Sequence, residues 1–185
     1  MTIGHRFAFI AGVLSILFHA GGAKASPAGQ ETVPHASYHP AENAVEKALD
    51  FILVAADNDL RINRFILDSN GAAKKYREFR RYFTDAYLNS ARIVERRLLN
   101  SECGGKYIRG EICGYNASAL NCAQSDSELG YFFSTETTSA SQATILVAWG
   151  GNSTPTGRYR MVLLAGMWVV DGVDCIKIGT NFNFH

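Results

Sequence analysis

RYRMVLLAGMWVVDGVDC, residues Arg158 to Cys175, decides how this chain is read. Two β-rich runs, Arg158–Leu164 and Met167–Val170, flank a tight turn at Ala165, Gly166 and Met167. The stretch then ends on an acidic corner, Asp171 to Asp174. Two further strand-like runs precede it, Leu129–Ser134 and Ala143–Trp149, and a turn cluster from Gly150 to Pro155 separates the second from Arg158. Such runs form an antiparallel meander. Both faces carry apolar side chains: Ile145, Val147 and Trp149 alternate with Leu146 and Ala148, and Met161 and Leu163 with Val162 and Leu164. A sheet with one wet face alternates more cleanly. The second face is therefore expected to be covered, by the chain's own ends or by a partner subunit as in a homodimer.

Upstream of the meander the period changes to that of helices. Pro40 suits a first helical turn. Ala44, Val45, Ala48, Leu49, Ile52 and Leu53 share one face, with Glu42, Glu46, Lys47 and Asp50 on the other. Asp57-Asn58-Asp59 caps a second helix bearing Leu60, Phe65, Ile66 and Leu67, and Asn70-Gly71 ends it. Ala72 to Asn100 is helical again, broken at Thr84, which precedes Asp85 as an N-cap. Tyr87, Leu88, Ala91, Val94 and Leu98 fall on the buried side, and Arg92, Glu95, Arg96 and Arg97 on the outer side. Glu78 and Asp85 interrupt the basic run from Lys74 to Arg81, which reads as a solvated helix face. Helices first and antiparallel strands afterwards predict an α+β fold, the helices packed on a strongly curved sheet.

The beginning of the chain predicts export. Arg6 precedes the apolar run Phe7–Phe18, and Ala23-Lys24-Ala25 is an A-x-A cleavage signal before Ser26. The run is shorter than the ~20 residues of a membrane span. Residues 1–25 are thus expected to be a cleaved signal peptide, leaving no stable membrane span and a periplasmic or secreted product. Residues 26–40, with Pro27, Pro34 and Pro40, read as a flexible lead-in, and its His35 and His39 as solvated histidines. Residues 41–185 form a single domain. Without the leader, which carries Arg6 and Lys24 and no acid, 16 basic side chains face 17 acidic ones. That balance gives no electrostatic case for nucleic acid.

All four cysteines, Cys103, Cys113, Cys122 and Cys175, follow the leader. An even count in an exported chain predicts two disulfides. Zinc is the competing reading, but no C-x-x-C pair is present. Of the three possible pairings the favoured one is Cys113–Cys122, closing the loop between them, with Cys103–Cys175 tying the helices to the last strand.

Helix, broken helix with Tyr82-Phe83-Thr84 at the break, cysteine-bracketed loop, then a meander closing on Trp168-Val-Val-Asp171: this order resembles the nuclear-transport-factor-two-like cone, the fold of the ketosteroid isomerases. More narrowly it resembles an uncharacterised group of exported bacterial domains, with a G-Y-N-A-x-x-L…A-Q loop and a closing W-x-I-D-D-I. Here those stretches are Gly114-Tyr-Asn-Ala-Ser-Ala-Leu120…Ala123-Gln124 and Trp168-Val-Val-Asp-Gly-Val173. The resemblance spans residues 41 to 175 and implies a cone-like sheet. Gly172 stands where the second aspartate is expected, and Ser125 where an aspartate commonly follows the glutamine.

Enzymes on that fold work with an acid, or a His/Asp pair, inside the cone. Asp171 is the candidate base, since burial raises a carboxylate's pKa. Period-2 geometry places Trp168 and Val170 inward and Asp171 outward, which favours a structural corner. After His39 the chain has a single histidine, His185, and it contains no G-x-S-x-G, H-E-x-x-H or phosphate loop. No cofactor or metal is implied. Asn116-Ala-Ser118 and Asn152-Ser-Thr154 match glycosylation sequons, read as coincidences in a bacterial protein. The aromatic side chains exceed the needs of a simple core, and the hydroxyls of Tyr82, Tyr87 and Tyr131, with Gln124 and Asp171, are expected to give a cone pocket its polar points. The leading expectation is a non-catalytic exported binding domain for a small ligand or a protein. The alternatives are a periplasmic immunity or inhibitor protein that neutralises a secreted toxin, and a hydrolase or isomerase using Asp171.

Overall fold

The computed structural model describes residues 36–185 except 69, 112, 116, 124–126, 151–153, 177–182 and 185. The signal segment, the first part of the lead-in, Gln124, Ser125 and the sequon asparagines lie outside the described residues.

The fold is α+β, with helices first: α1 (Ala44–Asn58), α2 (Leu60–Leu67), α3 (Gly71–Lys75), a 3₁₀ turn (Arg77–Tyr82) and α4 (Asp85–Cys103). An antiparallel sheet follows in chain order: β1 (Tyr131–Thr138), β2 (Gln142–Trp149), β3 (Pro155–Leu164), β4 (Met167–Cys175) and the two-residue β5 (Asn183–Phe184). The helices pack on one sheet face. Leu49, Leu53, Ile66 and Leu88 meet Phe133, Ile145, Val147, Met161 and Val170 in one core.

The helix boundaries follow local chemistry. α1 starts later than Pro40 implies, because Asn43 caps it: its side chain accepts the Glu46 N–H, and Glu46 reaches back to the Asn43 N–H. Glu46, expected on the outer face, is fully buried. Its other carboxylate oxygen accepts the Thr135 hydroxyl at 2.6 Å, so the cap also docks α1 on β1. Burial opposes ionisation of Glu46. Donation from Thr135, Glu42 and Asn43, with His39 nearby, outweighs it and holds the carboxyl below its usual pKa. Asp59 caps α2. Gly71 begins α3, where a helix end was expected; Asp68 accepts the N–H groups of Asn70, Gly71 and Ala72 there. Thr84 caps α4 as expected, and Gly104 ends it at φ 59°.

β3 and β4 join through Ala165 and Gly166, at φ 50° and 80°. Positive φ at both central residues is the turn geometry that matches strand twist. The expected acidic corner after Val170 is instead the middle of a longer β4. The register shifts between Arg160 and Met161 on β3, so Asp171 is an extra residue in a bulge. The bulge lets Val170 and Val173 both face the core. Across it, Arg160 lies over Gly172, where a Cβ would collide with the guanidinium.

The second sheet face is covered in part. Leu146, Ala148 and Val169 are buried there, outside the main core. Arg158, paired with Leu146 across β2 and β3, bonds Glu136 of β1 at 2.8 and 3.0 Å. The end of the lead-in is pinned too: His39 exchanges both backbone hydrogen bonds with Phe133, at 3.1 and 2.8 Å.

Candidate functional site

Three polar regions concern function: the interior beneath the helices, the bulge at Asp171, and a cleft between α2 and α4.

The interior holds most of the expected tyrosines. Tyr87 and Tyr159 are fully buried, and their hydroxyls donate to the Ala119 and Leu120 carbonyls at 2.8 and 2.7 Å. Tyr131 donates to Asp57 at 2.6 Å, and the other Asp57 oxygen accepts the Asn121 amide at 2.8 Å. Burial raises the pKa of all three phenols, and Asp57 adds to it at Tyr131. These phenols stay neutral donors that fasten the 119–121 loop onto α1, α4 and the sheet. Tyr82 stands apart, at the end of the 3₁₀ turn, where its hydroxyl accepts from Arg81.

The loop explains the disulfides. Cys103–Cys113 and Cys122–Cys175 form, replacing the favoured pairing of Cys113 with Cys122 and Cys103 with Cys175. Left-handed glycines 104, 105 and 110 turn the chain back at the end of α4, so Cys113 returns to Cys103 with Cα atoms 5.7 Å apart. The following loop does not close on itself. Held by the tyrosines, it carries Cys122 to the end of β4, 5.3 Å from Cys175. Glu111 lies beside Cys103 and Cys113, but the joined sulfurs are not thiolates and the trio is not a metal set.

Asp171 accepts the Thr84 hydroxyl at 2.8 Å, and the Thr84 N–H donates to the Val170 carbonyl at 2.9 Å. Asp171 therefore ties β4 to the cap of α4. A small recess of about 140 Å³ beside it is lined by Thr144, Arg160 and Met161.

Sequence reasoning missed the cleft. It opens between α2, α4 and the Cys103–Cys113 loop, with a volume of about 430 Å³, and Leu60, Asn63, Arg64, Leu67, Tyr107 and Tyr115 are among its walls. A second lobe, also about 430 Å³, shares Leu67, Asp68, Glu95 and Tyr107 and adds Arg92 and Arg96. Glu95, expected on the outer face, is 4 % exposed. Its carboxylate accepts the Tyr115 N–H at 2.5 Å and the Tyr107 hydroxyl. Gly114, at φ 77°, passes so close to Glu95 that a Cβ would overlap the carboxylate. Burial, then the bond to Glu95, raises the Tyr107 pKa, so this phenol is a donor at neutral pH. Its ring stays 67 % exposed over the cleft. Burial raises the pKa of Asp68, but its three backbone donors and Arg92 bring it below the usual value. Arg92 donates to the Phe65 and Ile66 carbonyls, fixing α2 on α4. The available sequence signal was the glycine of Gly114-Tyr115, a residue that permits a close approach of the backbone to a neighbour.

Comparison with protein-family models, with curated proteins and with solved structures returns no match to this chain. Among the described residues no helix is long and apolar enough to cross a membrane.

Proposed function

We propose that this chain is an exported, non-catalytic binding domain whose site is the α2–α4 cleft. The observation that carries the reading is the contrast in saturation. Interior phenols donate to partners on the protein, whereas the cleft leaves guanidinium groups and an aromatic ring facing outwards. Small-molecule sites combine an apolar wall with a few converging polar groups, and Leu60, Leu67 and Tyr107 with Arg64 and Asn63 make that combination. Two disulfides suit the oxidising setting that the signal peptide implies, the periplasm or outside the cell. The cone-like curvature belongs to this reading as its finer architecture, with a filled interior and a lateral binding site. Asp171, bound to a helix cap, is assigned a structural role.

A second reading draws on the rim. Leu60 is 80 % exposed and Ile108 45 %, beside the exposed Tyr107. Exposed aromatic and aliphatic side chains near arginines also suit a protein partner, as an inhibitor or immunity protein would need.

The test is thermal unfolding of the intact oxidised chain with the dialysable fraction of an envelope extract, beside a variant whose cleft is blocked by Asn63→Trp. A ligand present well above its Kd stabilises by a few kcal/mol, several degrees in Tm. The reading requires that shift in the native chain and its loss in the blocked one. Equal behaviour of the two chains overturns it. A shift produced only by the non-dialysable fraction, and lost in the blocked chain, moves the assignment to a protein partner.

A further inference from the structure

The charged side chains of the cleft that lack a protein partner among the described residues are all of one sign. Both acids on its floor are engaged: Asp68 by three backbone N–H groups, Glu95 by the Tyr115 N–H and the Tyr107 hydroxyl. Arg92 is engaged as well, by two carbonyls of α2. Arg64 and Arg96 differ. Both are exposed on the cleft walls, and neither guanidinium has a hydrogen-bond or ion-pair partner among the described residues. Asn63, next to Arg64, uses its side-chain oxygen to accept the Ala119 N–H at 3.0 Å. Its amide nitrogen, a donor of two hydrogens, is left for the cleft.

We infer that the cleft takes an organic monoanion, an apolar or aromatic carboxylate, with its carboxylate on Arg64 and the Asn63 amide and its apolar body between Leu67 and the Tyr107 ring. This rests on the cleft being the binding site. A guanidinium presents paired N–H groups that match a carboxylate, and charge-assisted bonds of this kind are the strong ones. A cation would meet acids already bonded to protein donors and, on the walls, two guanidinium groups of its own sign. A dianion would be opposed by the two fixed carboxylates of the floor, Asp68 and Glu95. Arg96, on the second lobe, adds attraction over a longer range and sets the direction of approach.

Naphthalene-2-carboxylate and its neutral isostere naphthalene-2-carboxamide test this by calorimetric titration of the intact oxidised chain. The carboxylate is expected to bind about tenfold or more tightly than the amide. Arg64→Ala should abolish that preference, Arg64→Lys should restore part of it, and Arg97→Ala, outside the cleft lining, should leave it unchanged. Leu67→Trp, which fills the cleft, should remove binding of both probes. Equal affinity for the two probes, or a preference that survives Arg64→Ala, overturns the monoanion assignment while leaving the cleft in place. Binding that survives Leu67→Trp, or no binding of either probe, overturns the cleft itself. Far-ultraviolet dichroism of each variant separates these outcomes from misfolding.

Discussion

The interior beneath the helices and the α2–α4 cleft are built from the same groups, tyrosine hydroxyls, carboxylates and a disulfide, and they differ in where the hydrogen bonds end. In the interior, Tyr87, Tyr131 and Tyr159 all donate inward, and the Cys122–Cys175 sulfurs are almost fully buried. In the cleft, Tyr107 donates inward but leaves its ring in solvent, and Arg64 and Arg96 donate to nothing on the protein among the described residues. A polar group that is buried must be satisfied, and once satisfied it serves cohesion. A polar group left open on a concave wall is available to a partner. Richness in tyrosine does not tell these cases apart; the exposure of the ring and the guanidinium groups left without a partner do.

The comparison breaks or sharpens under substitution. The largest effect is expected from Cys122→Ala with Cys175→Ala. Those residues lie 53 apart in sequence, and chain entropy alone puts the loss near 4 kcal/mol, read as a lower urea midpoint. Cys103→Ala with Cys113→Ala opens a loop of separation 10 and should cost about 3 kcal/mol or less. It should also free the Tyr107 loop, seen as faster amide exchange confined to residues 104–113. If the two double variants lose the same stability and exchange alike, the division into closed interior and open cleft fails.

Single hydroxyls come next. Tyr159→Phe leaves the buried Leu120 carbonyl without its donor, and about 2 kcal/mol should be lost. Tyr107→Phe, at an exposed ring, should cost under about 1 kcal/mol. A reversed order in denaturant titrations would contradict the assignment of one phenol to cohesion and the other to the cleft.

The smallest effect is reserved for acid. The Glu46 carboxyl sits below its ordinary value of 4.5 in the folded chain, so its stabilisation is complete above that value and disappears as pH falls through the folded one. Asp68, shifted the same way, adds to the trend. The interior phenols are neutral throughout this range. Urea midpoints at pH 6 and pH 3 should therefore fall in the native chain, and fall less in Glu46→Gln. Equal slopes in both chains would remove Glu46 as a source.

What was legible beforehand follows period and punctuation. The order of elements, the Thr84 break and the β3–β4 turn are written in local residues, as apolar spacing, an N-cap and Ala-Gly at positive φ. Glu46 and Glu95 were assigned to solvent because helical period counts carboxylates as polar. Burial was decided by distant donors, Thr135 for one and Tyr107 with Tyr115 for the other. The disulfide pairing was hidden for a related reason. Spacing permits every combination, and the choice depends on where Tyr87 and Tyr159 hold the 119–121 loop. The alternation that turned Val170 inward holds, but the strand was ended too early, because Asp171 and Gly172 look like a corner where a bulge lets β4 run on to Cys175. The cleft escaped because its walls come from three segments, and no single run displays its pattern.

β1 lies at the margin of the sheet, where unpaired backbone groups ordinarily invite a strand from another molecule. Here the chain defends it twice. His39 occupies the hydrogen-bonding groups of Phe133, and the register shift at Thr135–Thr137 breaks the rest of the edge while lodging charged Glu136 there. Both features narrow the stretch of β1 on which an incoming strand could be templated.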